Sequence, residues 1–239
     1  MFSNNIQVNS CDASVSFNNN QVVINDSVLH VKKIENLGQI YNIDVCMANI
    51  VKYEIAVLPL VAKILSTELT TLPGFNQAGL YYALNRVADD ETSAIVSFRQ
   101  SITIKQFMQN FISHWIVAVC DSIRVLVDVG IAPINEATGL VISIANEDTV
   151  GPAANITATA NNLRKVLQAF ENRNEADVNK YLDIILGGFG ANTDKFIEEI
   201  SVVLKLSPQA KVFVKNFFNL FGPTVVGIFN ELKTLAKQN

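Results

Sequence analysis

The chain has 239 residues, enough for one substantial domain, and 49% of them are hydrophobic against only 17% charged. An ordinary globular domain carries about 25% charged residues, so disorder is excluded and the apolar excess calls for a large core, a buried self-interface or contact with lipid. A net charge of −4 argues against a general nucleic-acid binder.

The first 34 residues read as strands. "SVSF", "QVVI" and "VLHVKKI" are rich in β-branched residues, and Asn18-Asn19-Asn20 and Asn25-Asp26 between them suit turns. A small antiparallel meander is expected. The start, "MFSNNIQVNS", lacks the basic and apolar regions of a signal peptide. Cys11, Cys46 and Cys120 form no C-x-x-C pair, so neither a disulfide framework nor a zinc knuckle is implied. Both features fit a protein made in the cytoplasm, which would act at a target membrane if released.

Helical periodicity begins near Asn42 with "IDVCMANIVKYEIAVLPLVAKIL", in which Pro59 is expected to kink or split the helix. "LPGF" at residues 72–75 reads as a turn and "NQAGLYYALNRVA" as a short helix. Residues 93–104, "SAIVSFRQSITI", alternate and end in β-branched residues, which favours a strand or hairpin. From residue 105 to 129 Ile112, Trp115, Ile116, Val119, Ile123 and Leu126 mark a strongly apolar helix expected near the centre of the domain. Residues 139–146, "GLVISIAN", suit a strand or a buried helical turn.

The last third reads as helices. Their stripes are Leu163–Phe170, Val178–Leu186 and Phe196–Leu204, followed by a final helix started by Ser207-Pro208 and broken at Gly222-Pro223. The expected architecture is therefore a single helix-dominated α+β domain over residues 1–239. Its parts are a β-rich segment (1–40), a mixed segment (41–150) and a helical C-terminal part (151–239). No uninterrupted apolar run reaches the roughly 18 residues of a spanning helix.

Evidence for enzyme chemistry is absent from the pattern. His30 and His114 are the only histidines, so a multi-histidine metal site cannot form, and no metal or cofactor is expected. His114 and Cys120 fall on opposite sides of one helix, and His114 beside Trp115 reads as a packed core histidine. "GGFGAN", residues 187–192, resembles a phosphate turn but follows a helical segment, so it reads as a helix cap and loop. Asp89-Asp90-Glu91 and Glu198-Glu199 read as solvated.

The charge distribution points elsewhere. From residue 201 onward five lysines face Glu231 alone, a local +4, which leaves −8 for the rest. The same end carries Phe213, Phe217, Phe218, Phe221 and Phe229 around the uncharged run "NFFNLFGPTVVGIFN". Cations beside bulky apolar groups suit an anionic phospholipid surface. Lys211, Phe213, Lys215, Phe217, Phe218, Phe221 and Phe229 are thus the expected membrane-contacting residues.

A family resemblance points the same way. "MANIVKYEIAVLP" (residues 47–59) resembles the first long helix of the Cyt-type cytolytic delta-endotoxins, with its Ala-Asn pair and closing Leu-Pro. "YYALNRVADDETSAIVSFRQSITIKQ" resembles their next segment through Ala83, Leu84, Ala88, Ser93, Ala94, Ile95, Val96, Gln100 and Ser101. The likeness covers roughly residues 20–130. It implies a single α/β domain that binds phospholipid and permeabilises cells, as related membrane-active virulence factors do. Residues 153–239 read as helices where that family is strand-rich. The expected function is that of a membrane-interacting, cytolytic or pore-forming toxin. The alternatives are a self-assembling structural protein, whose homo-oligomer buries the apolar surface, and a carrier of a hydrophobic ligand.

Overall fold

The computed structural model describes residues 12–18, 21–27 and 43–238. Strands β1 (Asp12–Asn18) and β2 (Gln21–Ser27) pair antiparallel with Val15 opposite Ile24 and Phe17 opposite Val22. The third expected strand, "VLHVKKI", lies outside the described residues. Eight α-helices follow among the described residues: α1 (Ile43–Thr67), α2 (Gln77–Gln100), α3 (Ile104–Asp128), α4 (Ile134–Ala145), α5 (Ala153–Glu171), α6 (Glu175–Val203), α7 (Pro208–Asn219) and α8 (Gly222–Ala236). The architecture is the expected helix-dominated α+β one. β1 lies along α2, where the Val15 amide donates to Thr92 Oγ1 at 2.9 Å.

Local chemistry explains the helix starts. Asn76, Thr103, Asn174 and Ser207 each accept a backbone N–H in the first turn of α2, α3, α6 and α7. Pro208 supplies the fixed φ of a first helical position. As expected, the chain breaks before Gly222-Pro223, between α7 and α8.

Three expectations are corrected, and a fourth, for residues 139–146, resolves to its helical alternative. Helix α1 runs through Pro59 without a break, because Pro59 lies on the exposed side, where water can solvate the carbonyl left without a donor. Residues 93–100 continue α2 rather than forming a strand. Ala83, Leu84, Ala88, Glu91, Ala94, Ile95 and Phe98 all fall on one buried stripe at helical spacing, and that stripe outweighs the local alternation. Residues 139–146 belong to helix α4 up to Ala145. Helix α6 passes uninterrupted through Gly187, Gly188 and Gly190, which merges two expected helices into one of 29 residues. Both its halves are pinned by core residues, Leu182 and Ile185 on one side and Phe196 and Ile200 on the other, so packing overrides the poor propensity of glycine.

The buried side chains form two clusters. One contains Ile50, Phe98, Phe107, Phe170, Leu182 and Leu232, and the other Leu65, Ile123, Leu126, Ile144, Ile200 and Phe217. Val87, Trp115 and Ile116 pack against both. A cavity occupies that seam. Helix α8 lies along α1, held by Ile228, Phe229, Leu232 and Leu235 and by a 2.9 Å hydrogen bond from Asn49 Nδ2 to Glu231 Oε2.

Candidate functional site

Three neighbouring helices each place a titratable group on the stripe that should be apolar. In α1, Glu54 stands between Val51 and Leu58; in α2, Glu91 stands between Ala88 and Ile95. Both carboxylates are buried, with residue exposures of 6% and 7%. Asp90 adjoins Glu91, and α3 contributes His114 one turn beyond Phe111. The imidazole is wedged between acids: Nε2 lies 3.7 Å from Glu54 Oε1 and Nδ1 lies 3.6 Å from Asp90 Oδ1. The ring meets Phe98 edge-on at 5.6 Å between centroids.

Compensation is incomplete here. Glu54 Oε2 and Glu91 Oε2 have no hydrogen-bond partner, and neither has Asn155 Nδ2 on the same cavity. Among the described residues no lysine or arginine forms an ion pair with Glu54, Asp90 or Glu91. The nearby Arg86 is committed to Asp128, with contacts of 2.8 and 3.2 Å. Burial, with Asp121 adding to it, pushes the Asp90 carboxyl up to about 7. Burial also raises Glu91 well above the usual carboxylate range, and the Glu54 and Asp90 charges reinforce the shift. Elsewhere Thr157 donates to the Asp148 carbonyl and Ser201 to that of Ile197, while Asn179 Oδ1 and Glu199 Oε2 also lack a partner.

The cluster forms one wall of a cavity of about 190 Å³. The opposite wall is apolar and largely aromatic, built from Phe196, Phe217, Phe218, Phe221 and Phe229 together with Phe189 of the glycine-rich stretch of α6. A cluster of carboxyl groups whose ionisation burial disfavours therefore lines a largely hydrocarbon-like space. The ligand atoms of Asp90, Glu91 and His114 lie within 4.8 Å of one another, close enough that one ion could touch all three.

Of the sequence-predicted residues, Phe217, Phe218, Phe221 and Phe229 line this cavity, whereas Phe213, Lys211 and Lys215 do not. Phe213, Phe217 and Phe229 are buried and Phe218 and Phe221 half-buried, so they do not form an outward docking face in this fold. Phe217 is the hub, in ring contact with Phe213, Phe218 and Phe221 at 5.5–6.1 Å. Lys211 pairs with Glu198 and Lys215 with Asp194 at 2.9 Å, so these lysines are tied to acids of α6. Physically, the phenylalanines gain more by covering the cavity than by standing in water.

Two further expectations change. Asp90 and Glu91 are not solvated; only Asp89 of that run is exposed. A multi-histidine pattern does not register the set present here, one histidine with two carboxylates. The readable signal was an acid at a core position of a helical stripe, at Glu54 and again at Glu91. His114 is packed in the core as expected, and Cys46 and Cys120 are free, buried thiols. Three segments prove long and apolar enough to cross a membrane despite a few charges: Ile43–Thr71, Ile104–Asp128 and Pro208–Ala236. The count of uninterrupted apolar residues had missed them. Comparison of the chain with protein-family models, with curated proteins and with solved structures finds no match.

Proposed function

We propose that the protein is membrane-active: it folds in water around its apolar helices and inserts them into anionic phospholipid bilayers when α7 and α8 swing away from α1. One observation carries this reading. Three helical segments have spanning length and mean hydropathies of 1.6, 1.3 and 1.4, yet only 50%, 33% and 33% of their apolar windows are buried. Leu60, Val117, Val212 and Val226 already stand exposed on those segments. Opening the C-terminal pair would add the phenylalanines to this surface, and each large apolar side chain returned to an apolar phase recovers about 1.5–3 kcal/mol. Cell lysis and the self-assembly that a pore requires are part of the same proposal.

Vesicle experiments test it. The full chain should co-sediment with phosphatidylserine-containing vesicles and release a trapped dye. Val212→Glu and Val226→Glu alter exposed positions, so folding in water should be unaffected. In lipid a charge near the middle of a span costs about 2.5–3.5 kcal/mol, so partitioning should fall at least about tenfold. Absence of wild-type binding, or leakage unchanged by both substitutions, would end this reading.

A second reading rests on the cavity, whose 190 Å³ exceeds the roughly 150 Å³ that holds a benzene-sized guest in other proteins. A carrier of a hydrophobic ligand would retain it there. Native mass spectrometry should then show co-purified ligand in the wild type and none in Ala118→Leu, which fills the wall. Wild type found only at its own bare-chain mass, with no ligand-bound species, would count against it.

A further inference from the structure

We infer that Asp90, Glu91 and His114 form a binding site for a divalent first-row transition-metal ion, with Glu54 as the carboxylate that orients His114. The inference does not depend on the membrane or carrier reading.

The donor set comes first. One imidazole with two carboxylates suits Zn²⁺, Mn²⁺ or Fe²⁺, whereas Mg²⁺ and Ca²⁺ favour oxygen alone. The spacing agrees. His114 Nδ1 and Asp90 Oδ1 are 3.6 Å apart, too long for a hydrogen bond. Donors sharing one ion at about 2.1 Å stand roughly 3–4 Å from each other. All three ligand atoms lie within 4.8 Å, so a small side-chain adjustment closes the set.

The second nitrogen of His114 supports the assignment. Metal-bound histidines usually turn their other ring nitrogen to a carboxylate, which fixes the tautomer and strengthens the ligand. Here Nε2 faces Glu54 Oε1 at 3.7 Å, and the side-chain adjustment that closes the ligand set would bring the two within hydrogen-bond reach.

An independent observation comes from the unpartnered oxygens. Glu54 Oε2 and Glu91 Oε2 are buried and make no hydrogen bond. Native structures rarely leave such atoms orphaned, and an ion held by Asp90, Glu91 and His114 would satisfy the Glu91 oxygen directly. Charge also balances: a dication offsets two ionised carboxylates in a place that otherwise disfavours ionisation. The three donors lie on α2 and α3, and Glu54 brings in α1. A bound ion would clasp the first three helices around the cavity.

The experiment uses the full chain stripped with a chelator and titrated with Co²⁺ and Zn²⁺ by calorimetry and visible absorption. One ion per chain is expected, with a cobalt d–d band and a raised melting temperature. Asp90→Asn and Glu91→Gln keep shape and should weaken binding by about 100-fold or more, while Glu54→Gln should weaken it by roughly 10- to 100-fold. Glu198→Gln, at an exposed acid paired with Lys211, should leave binding unchanged. Circular dichroism checks that each variant folds. X-ray absorption on the wild-type complex needs no variant, and it should show a single imidazole in an otherwise oxygen shell. No saturable binding in the micromolar range overturns the assignment. So does binding that survives both Asp90→Asn and Glu91→Gln, or a metal shell without imidazole.

Discussion

Helices α2 and α3 meet twice, and the two meetings follow opposite rules. At the lower one, where α2 begins and α3 ends, the backbones touch: a Cβ on Gly79 would sit 1.7 Å from the Asp128 carbonyl oxygen. The Asn76 amide donates to the Val129 carbonyl at 2.9 Å. Gly74 and Gly130, at φ of +83° and +82°, make the turns that allow this approach. Arg86 seals the contact on Asp128. About three turns beyond Gly79 along α2, Asp90 and Glu91 meet His114 at the edge of the cavity, with Glu91 Oε2 left unpaired. One meeting is built for stability. The other gives up packing and hydrogen bonds, a cost that folded chains tolerate mainly where something must bind or move.

Substitutions on either side should therefore differ in sign as well as size. Gly79→Ala forces backbone apart at the tight meeting and should lower stability by about 3 kcal/mol, at the upper end of overpacking costs; thermal unfolding followed by circular dichroism reads it. A loss below about 1 kcal/mol would mean that α2 and α3 are not in backbone contact. Glu91→Leu at the loose meeting should act in reverse. Measured in chelator, it removes a poorly compensated buried acid and should raise stability by about 2 kcal/mol. Destabilisation instead would show that Glu91 is already well satisfied.

Arg86→Ala gives the next effect. It strips Asp128 of a partly exposed bidentate partner, and denaturant unfolding should register a loss of about 1 kcal/mol. The smallest effect concerns an exposed pair outside both meetings, Glu147 with Arg164. The hydrogen bond from Arg164 holds the Glu147 carboxyl below its ordinary value of 4.5. A carboxyl depressed in the folded state stabilises above its unfolded pKa, and that contribution disappears as the pH falls through the folded value. Arg164→Gln should thus cost no more than about 0.5 kcal/mol at neutral pH, and the difference should vanish in acid and shrink in high salt.

Much of the tight region was legible in the sequence. The turn at Gly74, the stripe of Ile123 and Leu126 and the start at Ser207-Pro208 all announce themselves through local chemistry. The loose region was not. Asp89-Asp90-Glu91 looks like a solvated run, and only the helical phase of Glu91 against Ala88 and Ile95 betrays its burial. That phase was obscured by the alternation of Ile95, Ser97 and Arg99, which mimics a strand. The phenylalanines near the C-terminus are buried or half-buried in this fold, an orientation their sequence spacing does not report. Lys211 and Lys215 suggested a headgroup surface, whereas their partners Glu198 and Asp194 lie 13 and 21 residues earlier, on α6. Sequence periodicity reports which side of a helix is apolar; it does not report what covers that side.

Helix α6 carries a consequence of its own. Its first half is rooted in one core cluster through Val178, Leu182 and Ile185, and its second half in the other through Phe196, Ile197 and Ile200. Between them Gly187, Gly188 and Gly190 form a stretch where each residue forgoes close to 1 kcal/mol of helical preference relative to alanine. Amide deuteration should therefore run fastest midway along this rod and slowest at both roots. Bending at these glycines would leave either root intact while Phe189 shifts, so the cavity would change size without general unfolding.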